Sequence, residues 1–185
     1  NPDVKEFPIL PDKEAERIFR AVQETFAQNA VDVLTDCPSR ERSGWLCDSY
    51  FTAQAEHALT GKNCVERNLL RAYLFAPEPV SCQPFGIEPQ CYPSDHSDGS
   101  YIANWALWLV LELREYLARS GDEELVRLFR GKVMRLFDFL RRFENEDGLL
   151  EDVGGWVFVE WSRANDFTEG VNYPSNMLYS AALKA

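Results

Sequence analysis

Apolar residues recur at helical spacing along most of the chain, and polar or proline-rich segments separate the repeats. This pattern predicts helices, not strands, as the main elements. Asp12 and Asp122 stand where a helix can be capped, and Gly61 and Gly121 stand where one can end. In chain order, the predicted helices cover 12–29, 46–59, 65–75, 101–117, 122–143 and 174–185.

The segments between these helices differ in character. Residues 1–11 contain three prolines and are predicted to form an extended lead-in. Residues 76–99 hold five of the ten prolines, which predicts a long irregular loop of the kind that often carries function. Residues 149–160 could form a short hairpin folded at a Gly-Gly pair. The helix at 101–117 is apolar on nearly every side in its first half, as expected for a helix buried on both faces.

Composition narrows the class of protein. Hydrophobic residues make up 45% and charged residues 26% of the 185 residues, which is typical of a globular chain. The net charge of -11 argues against nucleic acid and anionic membrane surfaces as partners, because both attract basic proteins. The longest apolar stretch, at 105–111, is too short to span a bilayer.

The cysteines and histidines indicate neither a metal site nor a cofactor. Five cysteines at irregular spacing give no clear disulfide framework, so reduced thiols and a single bridge from Cys82 to Cys91 both stay open. With no C-x-x-C pair and only two histidines, the sequence predicts no zinc site. The acidic turns lack the EF-hand calcium pattern.

The most unusual segment is 36–48, which reads Asp-Cys-Pro-Ser-Arg-Glu-Arg-Ser-Gly-Trp-Leu-Cys-Asp. Proteins hold sugars with carboxylates that accept from hydroxyls and with aromatic rings that pack on C–H faces, and this segment offers both. Closely spaced carboxylates also separate one another's pKa values, while arginines oppose that effect for the acid they contact. A helix cap surrounded by surface ion pairs is the alternative interpretation of the same residues.

This segment resembles the motif D-C-P-x-R-E-R-x-G-W-x-x-D of the bacterial α-L-rhamnosidases of glycoside hydrolase family 78, and it agrees at each fixed position. A second stretch, 97–108, resembles the family block that opens the next core helix, although Ser97 departs from the more common family form. A third stretch, 156–161, falls where the family has a further tryptophan-rich loop. Together, the resemblance covers roughly residues 12–185.

The resemblance implies an all-α fold, an (α/α)6 barrel or six-hairpin glycosidase toroid with short β-hairpin insertions. Residues 12–185 would be the N-terminal portion of this catalytic domain, about half of the barrel. The helical pattern runs to the last residue, so we expect the domain to continue and the remainder of the parent enzyme to be a partner. Family members hydrolyse terminal α-L-rhamnosides with inversion, which makes a carbohydrate the expected ligand. A secreted or periplasmic location fits the resemblance, and the sequence itself does not fix the compartment.

When the family's residue roles are carried over by position, the resemblance implies that Glu41 is the general acid that protonates the leaving oxygen. The residues expected to line the rhamnose subsite are, in order of rank, Asp36, Arg40, Trp45 and Asp48, then Asp98 and Trp105, and then Trp161. An inverting enzyme needs an acid with a raised pKa and a base about 6.5–9.5 Å away across the sugar ring. The family's base lies far downstream, so we expect the chain alone to be catalytically incomplete.

Two other interpretations stay open. One is another helical-toroid glycosidase that acts on a different sugar. The other is a non-catalytic helical interaction module, but a stacked scaffold should show a repeat period and none is visible. Among single residues, Trp108 is expected in the core and His96 as an ordinary loop residue.

Overall fold

The structure is a computed structural model that describes residues 12–80, 83–94 and 99–185. Over these ranges it consists of α-helices and irregular loops, with isolated β-bridges instead of strands. The helices are α1 (Lys13–Asn29), α2 (Asp48–Thr60), α3 (Cys64–Phe75), α4 (Ala103–Ser120), α5 (Glu123–Leu128), α6 (Arg130–Leu140) and α7 (Tyr173–Lys184). Two short 3-10 helices cover Arg141–Phe143 and Arg163–Asp166. The predicted helical class is confirmed, and the predicted lead-in at 1–11 lies outside the described residues.

Several helix ends follow the capping residues that the sequence offers. The Asp12 carboxylate accepts from the backbone N–H of Glu14 at 2.9 Å and so satisfies one free donor at the start of α1. Gly61 ends α2 with a φ of 71°, in the left-handed region that glycine adopts without strain. Asn172 caps α7 by accepting from the backbone N–H of Ser175 at 3.0 Å.

A buried carboxylate joins α2 to α3. Glu56 is fully buried, and its two oxygens accept from the backbone N–H groups of Val65 and Glu66, each at 2.9 Å. These N–H groups belong to the first turn of α3, where a helix lacks internal acceptors and favours negative charge. Glu66 in turn pairs with Arg119 of α4 at 2.6 Å, so three helices are linked through side-chain charge.

Helix α4 lies between two hydrophobic clusters. One face contributes Leu109 and Leu113 to a cluster with α2, α3 and α5, while the opposite face contributes Ala106 and Leu107 to a cluster with α6 and α7. Burial on both faces confirms what the apolar pattern predicts for this segment. Among the described residues, no helix is both long and apolar enough to cross a bilayer.

The predicted single helix at 122–143 is divided into α5, α6 and a 3-10 turn. The division falls at Phe129, whose ring is fully buried and whose backbone N–H donates to Val126 at 3.0 Å, a tighter bond than an α-helix makes. The regular apolar stripe gives no sign of this turn. The predicted helix is therefore correct in type and wrong in continuity.

The predicted hairpin at 149–160 is wrong. Leu150 forms a bridge with Glu144, and Glu151 forms one with Val171, so this segment pairs with residues outside itself. Gly155 has a φ of 63° and lies against Tyr101, whose carbonyl accepts from the backbone N–H of Trp156 at 3.0 Å. The Gly-Gly pair therefore directs the chain across the start of α4, and residues 156–161 form a loop there.

Candidate active site

The segment 36–48 begins as a closed loop between α1 and α2. The backbone N–H of Asp36 donates to the Ser43 carbonyl at 3.1 Å, and the Ser43 N–H donates to Asp36 Oδ1 at 3.0 Å. The Ser43 hydroxyl donates to the Glu41 carbonyl at 3.1 Å and lies 2.7 Å from the hydroxyl of Ser94. One oxygen of Asp36 is thus used to close the loop, and Arg40 and Glu41 are held at its tip.

The residues after the loop are fixed against the segment at 90–93. The Gly44 N–H donates to the Pro93 carbonyl at 3.2 Å. The Gly44 carbonyl accepts from the Tyr92 N–H at 2.9 Å and from the buried Tyr73 hydroxyl at 2.8 Å. Trp45 forms an isolated bridge with Cys91. These bonds set the direction in which the Trp45 ring leaves the backbone.

Replacing Gly44 with Ala is expected to lower the free energy of unfolding by about 1–3 kcal/mol, the usual scale for overpacking a core. A methyl group at this position would meet the Tyr92 carbonyl and would lie 2.6 Å from a Leu69 methyl. Thermal unfolding of the protein measures the change. Gly131→Ala is the control, because its methyl would meet only a flexible arginine side chain; equal melting temperatures for the two variants would contradict the prediction.

A cavity of about 520 Å³ opens beside the loop. It lies between the segment 36–48, the start of α4 and the loop at 156–161. The residues that line it are Asp36, Arg40, Glu41, Trp45, Cys47, Asp48, Phe51, Ile102, Trp105, Trp108, Trp156, Phe158, Val159, Glu160 and Trp161. It is large enough for a monosaccharide unit, and its lining combines aromatic rings with carboxylates.

The Glu41 carboxylate is paired on both of its oxygens. Arg40 donates to Oε1 at 2.7 and 2.8 Å, and the Cys37 thiol donates to Oε2 at 3.1 Å. The Arg40 hydrogen bond is the main cause that lowers the pKa of Glu41 to about 2, and hydrogen bonds with Asp36 and Cys37 add to it. The expectation of a raised pKa for this acid is therefore wrong for the substrate-free protein: an arginine beside the carboxylate outweighs its acidic neighbours.

Asp48 carries the raised pKa instead. It begins α2 at the cavity wall, where burial raises its pKa to about 6, and the charges of Asp36 and Glu41 act in the same direction. The residue before it, Cys47, has a φ of 71° and a ψ of -58°, a conformation that costs a non-glycine residue about 1–3 kcal/mol. Backbone strain of this kind is typical of functional sites, and here it turns the chain from the loop into α2.

An aromatic wall faces the carboxylates. Phe158 packs edge-on against Trp105 at 5.1 Å between ring centroids, and Trp156 and Trp161 pack against Phe158 at 4.8 and 4.9 Å. The buried Asn104 side chain donates to the Phe158 carbonyl at 2.8 Å and so anchors the loop to α4. Trp161 is 81% exposed, which leaves its face available to a ligand.

The structure brings together the six predicted site residues that it describes. Asp36, Arg40, Glu41, Trp45, Asp48 and Trp105 all line this one cavity, as does the lower-ranked Trp161. The predicted Asp98 lies outside the described residues, as do His96 and Cys82. The predicted core position of Trp108 is wrong, because this ring is half-buried, packs on Tyr50 at 4.8 Å and lines the cavity.

Sequence reasoning missed several cavity residues. Glu160 lines the cavity beside Trp161, and Trp156 and Phe158 precede it in the same loop. The resemblance places a tryptophan-rich loop at 156–161, but only Trp161 was ranked as a site residue, and five closely spaced apolar or aromatic residues were the further signal. Phe51 could have been found from its place one helical turn after the motif.

One group of metal-ligand types occurs among the described residues. Asp36, Cys37 and Glu41 offer ligand atoms within 4.8 Å of one another. An ion there would have to displace the thiol and the Arg40 guanidinium from Glu41, and the guanidinium would repel it. The absence of a metal stays a prediction from the sequence.

The arrangement suits the binding of a sugar and the transfer of a proton to it. Carboxylates on one side can accept from hydroxyls, while the aromatic wall can cover an apolar face of the ring. The pKa of Asp48 is raised to about 6 and the pKa of Glu41 is lowered to about 2, so the two carboxyls differ in protonation in the substrate-free protein. Pairs of carboxyls with separated pKa values are typical of sites that transfer protons.

Comparison with known proteins gives a consistent result. The family model of the bacterial alpha-L-rhamnosidase 6 hairpin glycosidase domain matches residues 11–185. A curated alpha-L-rhamnosidase of Formosa agariphila is 25% identical over 150 residues, which cover 75% of this chain and 15% of that protein.

Two solved structures share the fold. The family 78 rhamnosidase of Bacillus sp. GL1 superimposes with a TM-score of 0.84 at 22% identity, over 95% of this chain and 18% of that one. The rhamnosidase of Klebsiella oxytoca with rhamnose bound gives a TM-score of 0.64 at 18% identity, over 83% of this chain and 30% of that one. This chain therefore spans less than a third of each protein compared. Its helices form part of an α/α toroid. The match over nearly all of its residues shows that the chain belongs to the bacterial α-L-rhamnosidase six-hairpin glycosidase domain family.

Proposed function

We propose that this chain forms the acid-bearing part of an enzyme that hydrolyses terminal α-L-rhamnosides with inversion. The observation that carries the proposal is the position of Glu41 at a cavity bounded by Asp36, Asp48 and an aromatic wall. Rhamnose has a methyl group where most hexoses have a hydroxymethyl group, and an apolar wall suits that methyl. Its hydroxyls need acceptors, which the two aspartates supply.

In this proposal Glu41 donates its proton to the glycosidic oxygen as the bond to the leaving group breaks. Asp36, Arg40 and Asp48 bind the hydroxyls of the rhamnosyl unit. Trp45 and Trp105 cover its apolar faces, and Asp98 is a further subsite candidate.

A lowered pKa must be reversed before Glu41 can act as an acid. The main cause of the low pKa is Arg40, whose side chain is 83% exposed at the cavity mouth. An exposed ion pair of this kind contributes little stability, so a substrate hydroxyl can replace Glu41 as the partner of the guanidinium. Once Arg40 turns to the substrate, the pKa of Glu41 rises and the carboxyl can carry the proton.

The general base belongs to a part of the enzyme outside these 185 residues. An inverting enzyme places its base about 6.5–9.5 Å from the acid, with a water molecule between the base and the sugar. Asp36 already accepts from the Ser43 N–H to close the loop, and we assign Asp36 and Asp48 to hydroxyl binding. Glu160, which lines the same cavity, is the alternative base within the chain.

The stereochemistry of the first product tests the proposal. We expect the whole enzyme to release β-L-rhamnose first from an aryl α-L-rhamnoside, followed by mutarotation, as seen by NMR within the first minutes. The isolated 185-residue chain should give no turnover, and Glu160→Gln in the whole enzyme should reduce activity far less than removal of the true base.

Other outcomes would contradict specific parts of the proposal. Release of α-L-rhamnose first would replace inversion with retention. Turnover by the isolated chain, abolished by Glu160→Gln, would place the base within the chain. Activity on another sugar with none on rhamnosides would favour a toroid glycosidase of different specificity, and inactivity on a broad glycoside panel would favour a binding module.

A further inference from the structure

The sulfur of Cys37 holds Glu41 at two points. It accepts from the Glu41 backbone N–H at 3.2 Å, and its thiol donates to Glu41 Oε2 at 3.1 Å. From this geometry we propose that Cys37 is a positioning residue that fixes the direction of the Glu41 carboxyl during proton transfer. The inference rests on the proposed role of Glu41 as the acid.

The double contact restricts a side chain that would otherwise be free to rotate. A glutamate has three rotatable side-chain bonds, and ordering a side chain of this type costs up to about 2 kcal/mol. Because one sulfur binds both the backbone and the carboxyl of Glu41, the side chain forms a closed ring with its own main chain. The Glu41 side chain has therefore already lost this conformational entropy before the substrate binds, as in other preorganised sites.

Cys37 is itself held in place. It is half-buried, and Pro38 after it restricts its backbone to extended conformations. Asp36 before it is tied to Ser43 through the two hydrogen bonds that close the loop. The sulfur is therefore fixed by the loop, whereas the Arg40 side chain that binds the same carboxylate is exposed.

The two partners of Glu41 occupy different oxygens. Arg40 is bound to Oε1 and the thiol is bound to Oε2. When Arg40 turns to the substrate, Oε1 becomes free to carry the proton, while Oε2 remains held by Cys37. The proton then lies on the oxygen that Arg40 has vacated at the cavity.

The groups that set the charge of Glu41 all lie nearby. They are Arg40, Asp36 and Cys37 in direct contact, with Asp48 and Glu160 on the wall of the same cavity. Since the thiol stabilises the ionised carboxylate, its removal should raise the pKa of Glu41. The basic limb of the pH profile, above which the acid is deprotonated, should then move to higher pH.

The test compares Cys37→Ala and Cys37→Ser in the whole enzyme, with Cys64→Ala as the control. Cys64 is an exposed free thiol at the start of α3, away from the cavity. Rates are measured with a phenyl α-L-rhamnoside and with a dinitrophenyl α-L-rhamnoside, whose leaving group needs little protonation. Melting temperatures are recorded for each variant.

We expect Cys37→Ala to lower kcat about 5- to 50-fold on the phenyl rhamnoside, with little change in KM. The loss should be much smaller on the dinitrophenyl rhamnoside, because acid assistance matters less there. Cys37→Ser, which retains a donor and an acceptor, should recover most of the rate. If Cys37→Ala does not fold, Cys37→Val preserves the volume without the hydrogen bonds and takes its place.

Two results would overturn the inference. The first is a kcat within twofold of wild type for Cys37→Ala on the phenyl rhamnoside while Glu41→Gln is inactive. The second is an equal loss on both substrates that Cys37→Ser does not recover, with a lowered melting temperature, since this describes a packing role. Full activity of Glu41→Gln would instead show that the proposed acid is wrong, so the two failures are distinct.

Discussion

Replacing Glu41 with Gln is expected to lower kcat about 10²- to 10⁴-fold on a rhamnoside with a poor leaving group, the usual contribution of a general acid. Glutamine has nearly the shape of protonated glutamate, so the cavity should keep its form. It cannot donate an acidic proton, so the leaving oxygen would depart as an unstable anion. Single-turnover rates on phenyl and dinitrophenyl rhamnosides measure the loss, which should be far smaller on the dinitrophenyl substrate.

Asp48→Asn provides the comparison for this experiment. Asp48 lines the same cavity, and its pKa of about 6 makes it the other carboxyl that could be protonated near neutral pH. In our proposal it binds a hydroxyl, so its replacement should raise KM and act equally on both leaving groups. A loss confined to the poor leaving group in Asp48→Asn, with Glu41→Gln active, would assign the acid role to Asp48.

Replacing Arg40 with Gln should have the second-largest effect, and this effect has two parts. Loss of a charged hydrogen bond to the substrate should reduce kcat/KM about 10- to 100-fold at the optimum. The basic limb of kcat/KM should also move to higher pH. Arg40 lowers the pKa of Glu41 to about 2 in the free enzyme, so removal of Arg40 should raise that pKa. The shift should appear in kcat/KM because kcat/KM reports free-enzyme pKa values.

Arg114→Gln is the matched control for this prediction. Arg114 also pairs with the residue that follows it, Glu115, at 2.9 Å on an exposed surface, and it lies away from the cavity. It should change neither the rate nor the pH profile. An Arg40→Gln profile of kcat/KM whose basic limb stays at the wild-type pH would contradict the idea that Arg40 sets the pKa of Glu41 in the free enzyme.

Much of the site was predictable because its residues are close together in sequence. Asp36, Arg40, Glu41, Trp45 and Asp48 lie within thirteen residues, so a single loop brings them to one cavity. The burial of helix α4 was equally predictable, because a helix that is apolar on nearly all sides is stable only when it is buried. Such local signals need no knowledge of the tertiary structure.

The errors arose where distant contacts decide the outcome. The loop at 156–161 is bound by Tyr101 and Asn104, more than 50 residues earlier in the chain, and no local sequence pattern indicates these contacts. The pKa of Glu41 depends on which carboxylate Arg40 contacts, and spacing alone does not determine that choice. The turn at Phe129 likewise interrupts an apolar stripe that is regular in the sequence.

The burial of α4 on both faces also bears on how this family can diversify. Residues such as Leu107 and Leu109 face opposite clusters, so a substitution at either position disturbs a packed core. The same helix carries Trp105 and anchors the aromatic loop through Asn104. Substitutions in α4 are therefore expected to be costly, and new sugar preferences should arise at exposed cavity residues such as Trp161, whose side chain belongs to neither cluster.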